Sequence, residues 1–161
     1  MPSSLANTTR WLALAAAVCA ADFATKAWVL ATLHLHESRP VTGFFNLVLV
    51  MNPGASFGFL AGAGGWQRWF FIVLALAISV WLVAMLRQHA RERLLPFAMA
   101  LILGGALGNV IDRVRFGAVV DFLDFHAAGR HWPAFNLADS AIVLGVALMV
   151  WHALTVKEGK P

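Results

Sequence analysis

Long apolar runs broken by short polar islands dominate the pattern of this chain. The runs cover about residues 11–33, 69–86, 94–111 and 137–156; the first is broken by charge at Asp22 and Lys26, and the last carries Asp139 near its start. Each run holds roughly 18–23 residues, which at about 1.5 Å rise per residue is enough helix to cross a hydrocarbon core of about 30 Å. The pattern predicts four membrane-spanning helices in a single integral-membrane domain over residues 1–161. The first run begins after one basic residue, Arg10, and Ala16-Ala17-Val18-Cys19 faintly resembles a leader cleavage site. Val18 is too large for the position before such a cut, and apolar character resumes through Ala27-Trp28-Val29-Leu30, so a retained span is expected.

Between the runs the period changes. In the loop of about residues 34–67, Phe44-Phe45-Asn46-Leu47-Val48-Leu49-Val50-Met51 is rich in β-branched and aromatic residues and reads as a strand. Asn52-Pro53-Gly54 comes next as a turn signal of type II, and Ala61-Gly62-Ala63-Gly64-Gly65 as a flexible stretch. In the loop of about residues 114–135, Val119-Val120-Asp121-Phe122-Leu123 could add a strand to the same sheet. The expected fold is an all-α membrane protein, four transmembrane helices with a small extracytoplasmic β-cradle.

Composition supports the bilayer. The chain is 60% hydrophobic and 12% charged, against about 25% charged for a soluble domain. Its net charge of +4 is spread too thinly for a nucleic-acid surface. Cys19 is the one cysteine, which excludes an internal disulfide, and it reads as a small buried hydrophobe. Arg87, Arg91 and Arg93 crowd a very short loop, and positive charge in short loops marks the cytoplasmic face. Both termini are then expected in the cytoplasm and the two long loops outside. The seven tryptophans fall toward the ends of spans, as interfacial anchors do.

Four of the eight acidic residues, Asp112, Asp121, Asp124 and Asp139, lie in one stretch. Carboxylates near hydrocarbon are costly, so each is a functional candidate. Asp22 and Lys26 stand one helical turn apart and suit a neutralising pair. Gly104, Gly105 and Gly108 make a small-residue face that lets another helix approach. Asn109, Asp112 and Arg113 share one side of that helix, and Arg113 could clamp a carbonyl or steady a carboxylate. A solvated Asp112–Arg113 cluster at the helix end accounts for the same spacing. Asn136 and Asp139 fit an N-cap with an acid three positions on, and capping alone would explain Asp139. Asp121 has no such explanation, because it sits between Val119-Val120 and Phe122-Leu123. Asp124, three residues on, would face the other way on a strand.

If Asp121 and Asp139 meet, one keeps a proton, the other can deprotonate water, and no metal or cofactor is required. Asp139, near a helix N-terminus, would take the base role. The six histidines lack a metal-ligand spacing, with His34 and His36 a weak exception, and no nucleophile elbow or phosphate-binding loop is present. A non-enzymatic four-helix proton or ion carrier using Asp22, Lys26, Asp112 and Arg113 is the alternative.

Five blocks closely resemble the signal peptidase II family of bacterial membrane aspartyl proteases. They are Asp22-Phe23-Ala24-Thr25-Lys26, Asn52-Pro53-Gly54-Ala55-Ser56-Phe57, the run from Gly104 through Asn109 to Asp112-Arg113, Val119-Val120-Asp121-Phe122, and Phe135-Asn136-Leu137-Ala138-Asp139-Ser140-Ala141. The resemblance implies that Asp121 and Asp139 are the catalytic dyad. It implies supporting roles for Asn52, Gly54, Gly105, Asn109, Arg113 and Asn136, and a fold-stabilising role for Asp22 and Lys26. Asp112 is grouped with that structural pair. It also implies a β-cradle and a mobile helical segment over the site. The implied substrate is a diacylglyceryl-modified prolipoprotein, held in membrane lipid and cut just before its lipidated cysteine. Globomycin-type inhibitors are expected in the same cleft, at the outer face of the bacterial inner membrane.

Overall fold

The computed structural model describes residues 4–54, 60 and 62–155. Four helices are long and apolar enough to span a membrane: α1 (Ser4–Thr32), α2 (Gln67–His89), α3 (Leu94–Phe116) and α4 (Leu137–Thr155). A four-stranded antiparallel sheet fills the loops in the order β1 (Ser38–Thr42), β2 (Phe45–Asn52), β3 (Val119–Ala127) and β4 (Arg130–His131). The strands expected at residues 44–51 and 119–123 are both present and paired. Ala55, Ser56, Phe57 and Ala61, with the expected end of the fourth span at Val156, lie outside the described residues.

Helix α3 is the central element, buried over most of its length against the other three helices. In lipid no hydrophobic force drives helices together, so close van der Waals fit must hold them. Glycines provide that fit. A Cβ on Gly104 would meet Ala15 O at 2.5 Å and Val18 Cβ at 2.7 Å on α1. One on Gly105 would collide with Ala138 O on α4, and one on Gly145 would meet Ala98 O at 2.7 Å on α3. The expected single small-residue face is thus two faces: Gly104 admits α1 and its neighbour Gly105 admits α4. Below them Ala15, Leu82, Leu86, Met99 and Leu103 form one apolar core. Leu and Val side chains of α2 and α4 stay exposed, as lipid-facing positions do.

Four boundaries or burials differ from the sequence expectation. Helix α2 runs past Leu86 to His89 and takes Arg87 into its last turn. Helix α1 starts at Ser4, well before Trp11. Helix α3 continues past Ile111 to Phe116 and stops at Gly117, whose φ of 78° ends the helix while its N–H donates to Arg113 O. Cys19 is only partly buried on α1. The sheet packs on the end of α1 through Val29, Leu33, Leu49, Val120 and Phe122. Strand β2 carries a bulge: Leu47 faces Leu123, yet Val50 faces Asp121. Val48 and Leu49 are consequently both buried in a strand that would otherwise alternate.

Candidate active site

Asp121 lies in β3 between Val120 and Phe122, and only 2% of it is exposed. The register places it opposite Val50, with Asn52 a diagonal neighbour on the same face. Asn52 Nδ2 donates to Asp121 Oδ2 at 3.1 Å, and Asn136 Nδ2 donates to Oδ1 at 2.7 Å. Burial, reinforced by the neighbouring Asp139 carboxylate, pushes the Asp121 carboxyl up to about 7 against the pull of both amides. The same asparagine reaches Asp139. Asn136 Oδ1 accepts the Asp139 backbone N–H at 2.8 Å, which is the N-cap bond expected at the start of α4. The Asp139 carboxylate does not serve the cap, because its Oδ1 accepts from Asn109 Nδ2 at 2.8 Å. Asp121 and Asp139 both open on one cavity of about 720 Å³.

A buried ionic cluster stands behind the pair. Lys26 Nζ lies 2.7 Å from Asp22 Oδ2 and 2.7 Å from Asp112 Oδ2, and it donates to Asn109 Oδ1 at 3.1 Å. Each partner then holds a different part of the site. Asp22 Oδ1 accepts the Ala138 N–H at 2.9 Å, fixing the first turn of α4. Asp112 Oδ2 accepts the Val120 N–H at 3.1 Å, fixing the strand residue beside Asp121. Gly108 leaves the room that Asp22 occupies, since a Cβ there would meet Asp22 Oδ2 at 2.5 Å. Asp112 and Arg113 are 2% and 8% exposed, so the solvated-cluster reading of that helix end is overturned.

Arg113 Nη2 donates to Gly54 O at 2.8 Å, the carbonyl clamp that its position suggests, and its guanidinium covers the Phe71 ring at 5.0 Å. The turn after β2 is closed by a side chain: the Gly54 N–H donates to Asn52 Oδ1 at 3.0 Å. Gly105 stands behind the site rather than in it, as the contact point for Ala138. Asp124 faces away from the cavity, bound to Asn46 and His131. His34 and His36 serve the turn after α1, where the His34 N–H donates to Glu37 Oε2 and the His36 N–H to Leu49 O.

Apart from Phe135, one wall of the cavity has no signature in the sequence. Trp132, Pro133, Ala134 and Phe135 line it, and Ile142, Val143, Leu144 and Ala147 extend an apolar side down α4. Trp132 therefore does more than anchor at an interface. The two carboxyls and these apolar side chains line the same cavity.

Known proteins share this architecture. The family model described as signal peptidase (SPase) II matches residues 14–155. A lipoprotein signal peptidase of Azoarcus sp. (strain BH72) is 62% identical over 151 residues, covering 94% of this chain and 86% of that protein. A lipoprotein signal peptidase of Ralstonia nicotianae is 56% identical over 140 residues, covering 87% and 81%. A solved bacterial membrane enzyme, determined by the in meso method at 2.3 Å, superposes with a TM-score of 0.83 at 33% identity over 95% of this chain and 94% of the other.

Proposed function

Since the chain belongs to the signal peptidase II family, aspartic-type membrane proteases that remove signal peptides from lipoproteins, we propose that Asp121 and Asp139 are its catalytic pair. The observation that carries this reading is the shared placement: both carboxyls open on one cavity, and Asn136 touches both residues. Asp121, with its carboxyl raised to about 7, keeps its proton in about half of the molecules at neutral pH, where an ordinary aspartate has lost it. Asp139, in the first turn of α4, has the helix N-terminus and the Asn109 amide to support negative charge.

The roles follow from those environments. Asp139 takes a proton from a water whose oxygen attacks the scissile carbonyl carbon. Asp121 gives its proton to the carbonyl oxygen, so no free oxyanion forms. Collapse of the tetrahedral intermediate returns that proton to Asp121 and breaks the C–N bond, and the leaving nitrogen takes the proton that Asp139 acquired. Asn52, Asn109 and Asn136 hold the two carboxyls in place, and Arg113 holds the Gly54 carbonyl at the cavity edge. Asp22, Lys26 and Asp112 form one closed cluster rather than the path across the bilayer that an ion carrier needs.

The substrate is a prolipoprotein, cut on this reading just before a cysteine that carries diacylglycerol. The apolar side of the cavity along α4 suits acyl chains and a signal helix. Lipid anchoring sets the height of the scissile bond and makes the encounter nearly intramolecular. Globomycin-type inhibitors would occupy the same cavity. The arginine-rich loop between α2 and α3 belongs in the cytoplasm with both termini, which puts the cavity at the outer face of the inner membrane. The test is a synthetic prolipoprotein with and without the diacylglyceryl group, its products mapped by mass spectrometry. Cleavage before the cysteine of the modified form alone is expected. Equal cleavage of both forms, or a cut elsewhere, would refute the reading.

A further inference from the structure

Asp124 is a buried carboxylate that the proposed chemistry does not use. It is 6% exposed and faces away from the cavity, on the opposite side of β3 from Asp121. Asn46 Nδ2 on β2 donates to its Oδ2 at 2.8 Å, and His131 Nδ1 on β4 lies 2.9 Å from Oδ1 and 3.0 Å from Oδ2. The His131 ring also stacks on His126, its cross-strand partner, at 4.9 Å. Burial opposes charge on Asp124, but the Asn46 amide and His131 outweigh it and hold the carboxyl below the usual range.

His131 stands immediately before the cavity wall in the chain. Strand β4 is two residues long, entered through a turn with Ala128 and Gly129 at φ of 50° and 75°. The next four residues, 132–135, are the wall itself. That wall is pinned at its ends. The Trp132 N–H donates to Phe125 O at 2.7 Å, and Phe135 exchanges backbone bonds with Leu123 at 2.8 and 3.1 Å. Phe135 stacks on Phe125, which packs on Phe45. The Phe135 end thus has both backbone and ring support. The Trp132 end follows directly from a two-residue strand, in which His131 bonds Asp124 and stacks on His126.

We infer that Asp124 and His131 are positioning residues for substrate binding: from the far face of the sheet they hold the Trp132 end of the cavity wall against β3. The pair touches neither catalytic carboxyl, so its loss alters how well the cavity holds substrate and leaves the chemical step intact. This inference rests on the cavity being the substrate site, and the experiment separates the two ideas. His131 is 54% exposed in its side chain, so its replacement leaves the core untouched.

The experiment compares His131→Ala, His131→Asn and Asp124→Asn with the parent full-length protein in detergent. Hydrogen exchange at the Trp132 N–H is the first readout and requires no substrate. In His131→Ala that amide exchanges at least about tenfold faster while the Val120 and Asp121 amides keep the parent rate. Cleavage of a diacylglyceryl prolipoprotein is the second. His131→Ala raises KM roughly three- to tenfold, the worth of about one net hydrogen bond, with kcat within about twofold. Asparagine places an amide nitrogen where the imidazole Nδ1 stood, so His131→Asn restores KM. Adding His131→Ala to Asp124→Asn changes KM no further. Unchanged exchange at Trp132 overturns the inference whatever the activity. Faster exchange with unaltered KM and kcat overturns the assignment of the cavity as substrate site and, with it, the positioning role. A fall in kcat at constant KM makes the pair part of the chemistry and equally overturns it.

Discussion

Replacing Asp121 by asparagine should stabilise the folded protein at alkaline pH. The folded carboxyl is raised from 3.8 to about 7, and three units at about 1.36 kcal/mol each come to roughly 4 kcal/mol. The sign follows from linkage. Between pH 4 and 7 the unfolded chain has released this proton while the folded chain still holds it, so stability falls as pH rises through that window. Asparagine has no proton to release and escapes the loss. It does set an NH2 group against a donor, because Asn52 and Asn136 each donate to an Asp121 oxygen, a cost of about 1 kcal/mol. Asp121→Asn is then slightly less stable than the parent at pH 4 and roughly 3 kcal/mol more stable at pH 8. For a chain of 161 residues that is a rise in Tm of about 6–12 °C. Thermal unfolding in detergent from pH 4 to 8 measures it. A difference that does not vary with pH would refute the claim that burial and Asp139 hold the proton on Asp121.

Asn109→Ala removes the donor to Asp139 and should lower kcat about ten- to a hundredfold with little change in KM, as steady-state kinetics on a lipidated substrate would read. Gly105→Ala and Gly104→Ala should each cost about 1–3 kcal/mol by overpacking. Only Gly105→Ala should also cut turnover, because its methyl displaces the α4 turn that carries Asp139. Lys26→Met strands the Asp22 and Asp112 carboxylates and should cost about 3–5 kcal/mol, seen as a collapse of folded yield in detergent. A Lys26→Met protein with parental Tm would contradict the bridging role of Lys26.

Much of this architecture is legible along the chain because its signals are local. Apolar length marks the four spans, and a β-rich run followed by Asn52-Pro53-Gly54 marks β2. Asp121 is visible as a lone carboxylate in a hydrophobic strand, and Asn136 as a cap. The end of α3 is not marked by apolar length, which stops at Ile111; the stop is Gly117, which supplies the left-handed cap. Other features depend on partners distant in sequence. Lys26 pairs with Asp22 by spacing, but its bonds to Asp112 and Asn109 exist only once α1 packs on α3. Strand β1 is exposed throughout and carries Pro40, so nothing in its pattern signals a strand, yet an edge tolerates proline. The His131–Asp124 tie crosses a hairpin whose second strand is two residues long, too short to leave a period.

The central claim is that two carboxyls on one cavity divide the work of acid and base. The most direct measurement is single-turnover cleavage of a diacylglyceryl prolipoprotein by purified Asp121→Asn and Asp139→Asn proteins that retain the parent fold. Each variant is expected to lose at least about a thousandfold in rate. A rate within about tenfold of the parent in either one would contradict the division of roles.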